Sequence, residues 1–252
     1  NKGLSKTEAH ELHGHKGHHP DCWTCKLTLG AARRERTIPP EERVQSDQPG
    51  RAFTLDIVQW SHRASTGEMY SAVMRDVCTG TPFNLHLCYK SDFYKQFDAW
   101  LMEMRNDPYY NWMRDYKFCS VLYLDNDGLW DEANVKWNAT IRVPRGIQCR
   151  YSEPDKKNTN ARAENNVRAM ERRTKSLLFS RNLPPEQWPL CADQGAWLDA
   201  RFPYNQRSSD GDDILPIEAL TNGAHSRRTI TQELSFFVSV GTPCLVWKPS
   251  VK

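Results

Sequence analysis

The chain has 252 residues, 26% of them charged, a formal net charge of only +3 and a mean hydropathy of −0.74. Its length and nine tryptophans fit one sizeable core plus a small accessory module beneath a wet, charged surface. No apolar run is long enough to span a membrane, and so small a net charge does not by itself argue nucleic-acid binding.

Residues 1–32 are rich in His and Lys. They begin Asn1-Lys2-Gly3, with neither a starting Met nor an apolar signal segment, as expected of a piece of a longer chain. His10, His13, His15, His18 and His19 precede Cys22-Trp23-Thr24-Cys25. Two imidazoles and two thiolates make a closed tetrahedral zinc site. No thioredoxin-like strand–helix–strand pattern surrounds the C-x-x-C, which argues against a redox role. The residues alone leave open which two His bind. A module this short cannot build its own core, so the metal is expected to supply most of its folding energy and to assist assembly or DNA binding, with no chemical role. Cys78, Cys88, Cys119, Cys149, Cys191 and Cys244 are scattered in apolar contexts and read as reduced thiols of a cytosolic or nuclear protein.

Residues 33–50 are polar, contain Pro39-Pro40 and Gln48-Pro49-Gly50, and read as a linker. Strand patterns follow at Ala52–Gln59, Glu68–Val77 and Pro82–Tyr89. The last two are separated by Thr79-Gly80-Thr81, which predicts an antiparallel hairpin. Ser91 is placed to cap a helix carrying Phe93, Phe97, Trp100, Leu101 and Met104 at helical spacing. Phe118–Leu124 and Gly146–Tyr151 read as strands, and Glu164–Leu183 and Glu186–Ala200 as amphipathic helices. From Leu215 the pattern is mixed, with β-prone text at Phe236–Val240 and Cys244–Trp247. Three strands, a helix, a strand, a short element, a strand and two helices fit a mixed sheet with helices on its faces.

Three carboxylates stand out. Asp56 interrupts an apolar strand, where a buried charge is costly. Asp125 ends a second apolar run, Val121-Leu122-Tyr123-Leu124, and Glu164 lies on a basic helix. One carboxylate from each of two strands and one from a helix can meet at a sheet edge and hold two hard cations acting on a phosphodiester. Lys157, Arg162 and Arg168 flank Glu164 and are placed to meet DNA phosphates. Arg172, Arg173 and Lys175 read equally well as a solvated face, as do Arg33, Arg34 and Arg36 in the linker. No G-x-S-x-G elbow and no phosphate-cradling glycine loop occurs, so nucleophile-type hydrolysis and a nucleotide cofactor are not expected.

The ordered motifs resemble the integrases of retroviruses and, more closely, of copia-type LTR retrotransposons. Asp125-Asn126-Asp127-Gly128-Leu129-Trp130 resembles the family's D-N-G-G-E-aromatic segment, and Asn160-Ala161-Arg162-Ala163-Glu164 its N-G-V-A-E. Ser65–Tyr70, Asp76–Gly80, Tyr89-Lys90-Ser91 and Pro216–Gly223 resemble further family text, so the likeness runs from about His10 to about Val246. Leu129 stands where the family has Glu, and Asn165-Asn166 where it has Arg-Lys. The interval from Asp125 to Glu164 is longer than usual, with the extra residues expected near Trp137–Arg145. Asp127 rivals Asp125, which aligns without a gap.

The resemblance implies an α/β fold: an RNase-H-like mixed five-stranded sheet flanked by helices and preceded by a zinc module. Residues 1–32 would form the module, 33–50 the linker, 51–205 the catalytic core and 206–252 a post-core segment. Asp56, Asp125 and Glu164 would take the catalytic positions and bind Mg2+ or Mn2+. His10, His15, Cys22 and Cys25 would bind Zn2+, with His13 as runner-up to His10. The expected activity is metal-dependent 3′-end processing and DNA strand transfer by a polyprotein-derived enzyme. Its partners would be double-stranded DNA (element ends and target) and further copies of the chain, with no membrane. It would act in the nucleus after a cytoplasmic virus-like-particle stage. The alternative is a catalytically decayed or domesticated zinc- and DNA-binding protein; a different RNase-H-like nuclease would leave the His/Cys module unexplained.

Overall fold

The computed structural model describes residues 5–12, 15, 19–29, 46–113, 115–125, 127–131, 133–152, 161–202 and 215–235. Five strands, β1 (Ala52–Gln59), β2 (Tyr70–Asp76), β3 (Pro82–Leu87), β4 (Val121–Leu124) and β5 (Gln148–Tyr151), form one sheet in the order β3-β2-β1-β4-β5. The first three make an antiparallel meander, and β4 and β5 add in parallel beside β1. The sheet is therefore mixed and α/β in class.

Parallel neighbours need crossovers. Helix α3 (Phe93–Asn106) precedes β4. Between β4 and β5 the chain runs through short helices α4 (Val135–Trp137) and α5 (Val143–Arg145), joined by a π-helical turn at Asn138–Arg142. The Trp137–Arg145 stretch, expected to hold surplus residues, is this crossover, and Trp137 and Ile141 plug it into the core. The Ser91 cap is not formed. Ser91 lies in a 3-10 turn, Lys90–Asp92, whose Asp92 carboxylate accepts from the Tyr89 backbone N–H at 2.9 Å. β4 starts later than its apolar run because Cys119 adopts φ 50°, a left-handed kink.

Side chains alternate across a strand, and the alternation of β1 separates the two faces. Phe53 and Leu55 join Leu122, Leu124, Phe93, Phe97 and Trp100 in the main core beneath α3. Thr54 and Val58 face the opposite layer, made by α6 (Ala161–Ser180) and α7 (Trp188–Arg201). There Trp60 stacks on Trp188 at 4.6 Å between centroids. Arg75, Arg173 and Asp199 form a buried ionic cluster that locks α6 and α7 to β2, and Arg173 donates to the Gly195 carbonyl at 3.1 Å. Gly195 suits this contact: a Cβ there would sit 2.8 Å from the Arg173 Cδ.

Helices α1 (Lys6–Leu12) and α2 (Trp23–Leu29) precede the sheet, and α2 packs on α6. After the core come α8 (Pro216–Leu220) and α9 (Arg227–Ser235). Much of the expected linker, Lys156, Lys157 and the β-prone tail from Phe236 lie outside the described residues.

Candidate active site and metal centre

Strand register brings two of the three carboxylates together. Thr54 pairs with Tyr123 across the parallel β1/β4 ladder. Two residues on, Asp56 still lies in β1 and Asp125 lies just past the end of β4, so the register carries the two toward one another. Glu164 lies in the first turn of α6, which packs on β1. The three interact. Partial burial pushes the Asp56 carboxyl up, the Asp125 and Glu164 charges push it further, and the Ile57 amide and Lys90 pull back; the result is about 6. Asp56 is thus a partly buried carboxyl with two acidic neighbours, while among the described residues the tight metal-capable grouping is the His/Cys one.

Each member has its own support. Asp56 Oδ1 accepts from the Ile57 backbone N–H at 2.8 Å. The buried indole of Trp130 donates to both the carbonyl (3.0 Å) and Oδ1 (2.9 Å) of Asp125, which fixes that side chain from behind. Glu164 is half exposed and lies 3.5 Å from the Arg168 guanidinium one turn on. Asp127 points elsewhere. It forms an ion pair with Lys90 and accepts from the Leu129 N–H at 2.9 Å; burial alone would raise its carboxyl, but these contacts hold it low.

Arg162 is engaged with the fold. Its Nη2 donates to the Val77 carbonyl at 2.6 Å, tying the start of α6 to the end of β2. Next to that end Asp76 is fully buried and accepts from the backbone N–H of Gly50 (2.8 Å) and from the N–H and Oγ1 of Thr79 (each 2.7 Å). The Asp76–Gly80 text therefore closes a knot under the sheet edge.

Sequence reasoning missed four supporting residues: Lys90, Trp130, Thr54 and Asn166. The aromatic ending the Asp125–Trp130 motif was visible as text, but its hydrogen bond to Asp125 was not. Asn166, seen as a departure from the family text, is buried, and its Nδ2 donates to Thr54 Oγ1 at 2.9 Å.

The second centre is N-terminal. His10, His15, Cys22 and Cys25 are all buried, and one donor atom from each lies within 4.8 Å of the others. His10 Nε2 lies 3.0 Å from Cys25 Sγ, and His15 Nδ1 lies 3.4 Å from Cys22 Sγ. The first imidazole comes from α1, both thiols from the entry to α2, and His15 from a left-handed residue between them (φ 58°). Burial, then the charges of His10, Arg181 and Arg173, push His15 down to about 4, which keeps it in the neutral, ligating form. Burial raises the Cys25 thiol, so bare thiolates here would be expensive, and a soft divalent cation removes that penalty. The donor set can hold a zinc ion. His19 packs its ring 5.2 Å from that of His10 without joining the group, while His13 and His18 lie outside the described residues. The seven described cysteines are all free thiols.

No protein-family model and no curated protein matches the chain. Among solved structures, a chain of the simian T-cell lymphotropic virus intasome, determined in complex with PP2A regulatory subunit B56 gamma, matches with a TM-score of 0.53. The match covers 99% of this chain and 72% of the other at 13% identity. The fold is integrase-like. At that identity the likeness extends to architecture alone: a mixed five-stranded sheet between helical layers, here with an N-terminal His2Cys2 group. No described helix is long and apolar enough to cross a membrane.

Proposed function

We propose that the chain is the integrase of a copia-type LTR retrotransposon, a polynucleotidyl transferase that trims element DNA ends and joins them to target DNA. The observation that carries this reading is the placement of Asp56 on β1 and Asp125 just past β4 on neighbouring strands, with Glu164 opening the helix that packs on β1, on an integrase-like fold. Three carboxylates are hard donors that suit Mg2+ or Mn2+. Divalent cations bound there supply activation of the attacking oxygen and stabilisation of the leaving one. Asp56, which feels both of the others, would be the shared ligand of such cations. Trp130 holds Asp125 in place, and Arg168 screens Glu164 from its acidic neighbours while remaining half exposed toward phosphate. Lys157 is assigned a second phosphate contact. Arg162 is assigned first to the Val77 carbonyl, so its effect on DNA binding runs through the placement of α6.

The His/Cys group is assigned to structural zinc. Double-stranded DNA and further copies of the chain are the proposed partners, with nuclear action after a cytoplasmic particle stage.

The test is Mn2+-dependent strand transfer on a short duplex. Wild-type protein should join it, and Asp56→Asn, Asp125→Asn and Glu164→Gln should each abolish joining with the circular dichroism spectrum retained. Wild-type joining by any of the three sinks the assignment. A folded, DNA-binding but inactive wild type selects the decayed or domesticated alternative.

A further inference from the structure

A second binding feature lies beyond the acidic site. Past the end of β1, a groove of about 400 Å³ opens between the Trp60–His62 turn and the C-terminal half of α6. Trp60, His62, Lys175, Phe179, Leu183 and Trp188 line it. Its floor is the rigid Trp60–Trp188 stack, with both indole N–H groups already donating, to Ser71 Oγ and to the His62 carbonyl, each at 3.0 Å. Phe179 is 49% exposed, and Lys175 is exposed beside it.

One face of α6 links the groove to the carboxylate site. Glu164, Arg168, Arg172, Lys175 and Phe179 follow at intervals of four, four, three and four residues, which places them in one stripe. Arg168, Arg172 and Lys175 outnumber Glu164 and Glu171 on that stripe. At 1.5 Å per residue, Lys175 stands about 16 Å from Glu164. That is roughly five nucleotides of a strand rising 3.4 Å each. Cations leading to an aromatic platform match a polymer that alternates anionic phosphates with flat π-faces. A purely apolar partner would leave the exposed Lys175 ammonium at the groove rim unanswered.

We propose that this groove binds an unpaired nucleobase of the DNA strand whose backbone passes the carboxylate site, about five nucleotides from the reacting phosphodiester. The inference rests on the proposed function. Phe179 supplies the stacking face and Lys175 the contact to the adjoining phosphate. The groove thereby selects frayed or overhanging ends over blunt duplex.

The test uses the full chain in Ca2+, so that binding is read without turnover, on a blunt duplex and on the same duplex with a five-nucleotide overhang of either polarity. Wild type should prefer one overhang by about tenfold, in line with the stacking of one base on an aromatic ring. Phe179→Ala should erase that preference and leave blunt-duplex affinity unchanged, while Phe179→Trp should restore it. A 2-aminopurine at the fifth position should be quenched by wild type and not by Phe179→Ala. Equal binding of blunt and overhanging DNA by wild type, or an undiminished preference in Phe179→Ala, overturns the groove assignment and leaves the integrase reading standing. A shift of Phe179→Ala from dimer to monomer in light scattering overturns it in favour of a self-interface. No binding of any DNA by folded wild type overturns both.

Discussion

Asn166 donates its side-chain amide to Thr54 Oγ1 at 2.9 Å, across 112 residues of sequence. Thr54 stands two residues before Asp56 on β1, and Asn166 two residues after Glu164 on α6. The bond is buried, and Arg75 reaches the Asn166 carbonyl oxygen at 3.4 Å while pairing with Asp199. The separation of two proposed metal ligands is thus set by a hydrogen bond between their neighbours. Asn166→Ala leaves the Thr54 hydroxyl and Arg75 short of a partner, at a cost of about 1–3 kcal/mol. It should lower strand transfer at least tenfold and weaken Mn2+ binding measured directly, while DNA affinity in Ca2+ stays within about twofold. Undiminished Mn2+ affinity in a folded Asn166→Ala protein removes the positioning role.

Asp56 should trade stability for function. Its folded value of about 6 lies above its ordinary 3.8, so between those values the folded state holds a proton that the unfolded state has lost. Metal-free stability from this group is therefore present at low pH and lost as pH rises through about 6. Asp56→Asn removes the charge and should stabilise the metal-free protein at pH 7 by on the order of 1–2 kcal/mol, after discounting for solvent screening. The gain should vanish below about pH 4. Paired urea melts at pH 4 and pH 7 check the sign; equal gains at both mean that the charge is not the cause. Mn2+ affinity of wild type should rise over the same interval as Asp56 loses its proton.

Asp125 and Asp127 separate by substitution. Asp125→Asn keeps an acceptor for the Trp130 indole but loses the charge, and should abolish strand transfer. Asp127→Asn breaks the Lys90 pair at a part-exposed position. It should cost under about 1 kcal/mol and leave at least a third of the activity. The reverse ranking in a joining assay would move the second acidic position to Asp127.

The N-terminal group should carry one zinc per chain by elemental analysis. Cys22→Ser and His15→Ala should each lose it, whereas His19→Ala should keep it, because His19 stands beside the donor set and outside it. Chelation should open residues 1–29 to protease and leave the five-stranded sheet intact, since α2 rests on α6 while the main core lies on the opposite face of the sheet, beneath α3. Retained zinc in Cys22→Ser would break the assignment of that ligand.

Much of the sheet was readable as local pattern. An apolar run interrupted by Asp56 marked β1 from Ala52 to Gln59, and the Thr79-Gly80-Thr81 break marked the β2/β3 hairpin. The crossover at Val135–Arg145 was not read as helix. Its pieces are only three to five residues long and are joined by a π-turn, so Trp137 and Ile141 are a single spaced pair, too little text to register as a helical period. The Ser91 cap failed for a similar reason, because a 3-10 turn displaced the start of α3 past it.

By itself the sequence determined the order of elements, the strand parity that puts Asp56 beside Thr54, and the pool of His and Cys from which a metal site can be drawn. Those depend on neighbours a few residues apart, where periodicity and residue chemistry act directly. Only the tertiary structure decided which imidazoles meet the two thiols, which of Asp125 and Asp127 stands near Asp56, what occupies Arg162, and why an Asn sits two residues after Glu164. Each is set by a contact between distant segments, made when α6 docks on β1 and β2, and such docking leaves no local pattern to read.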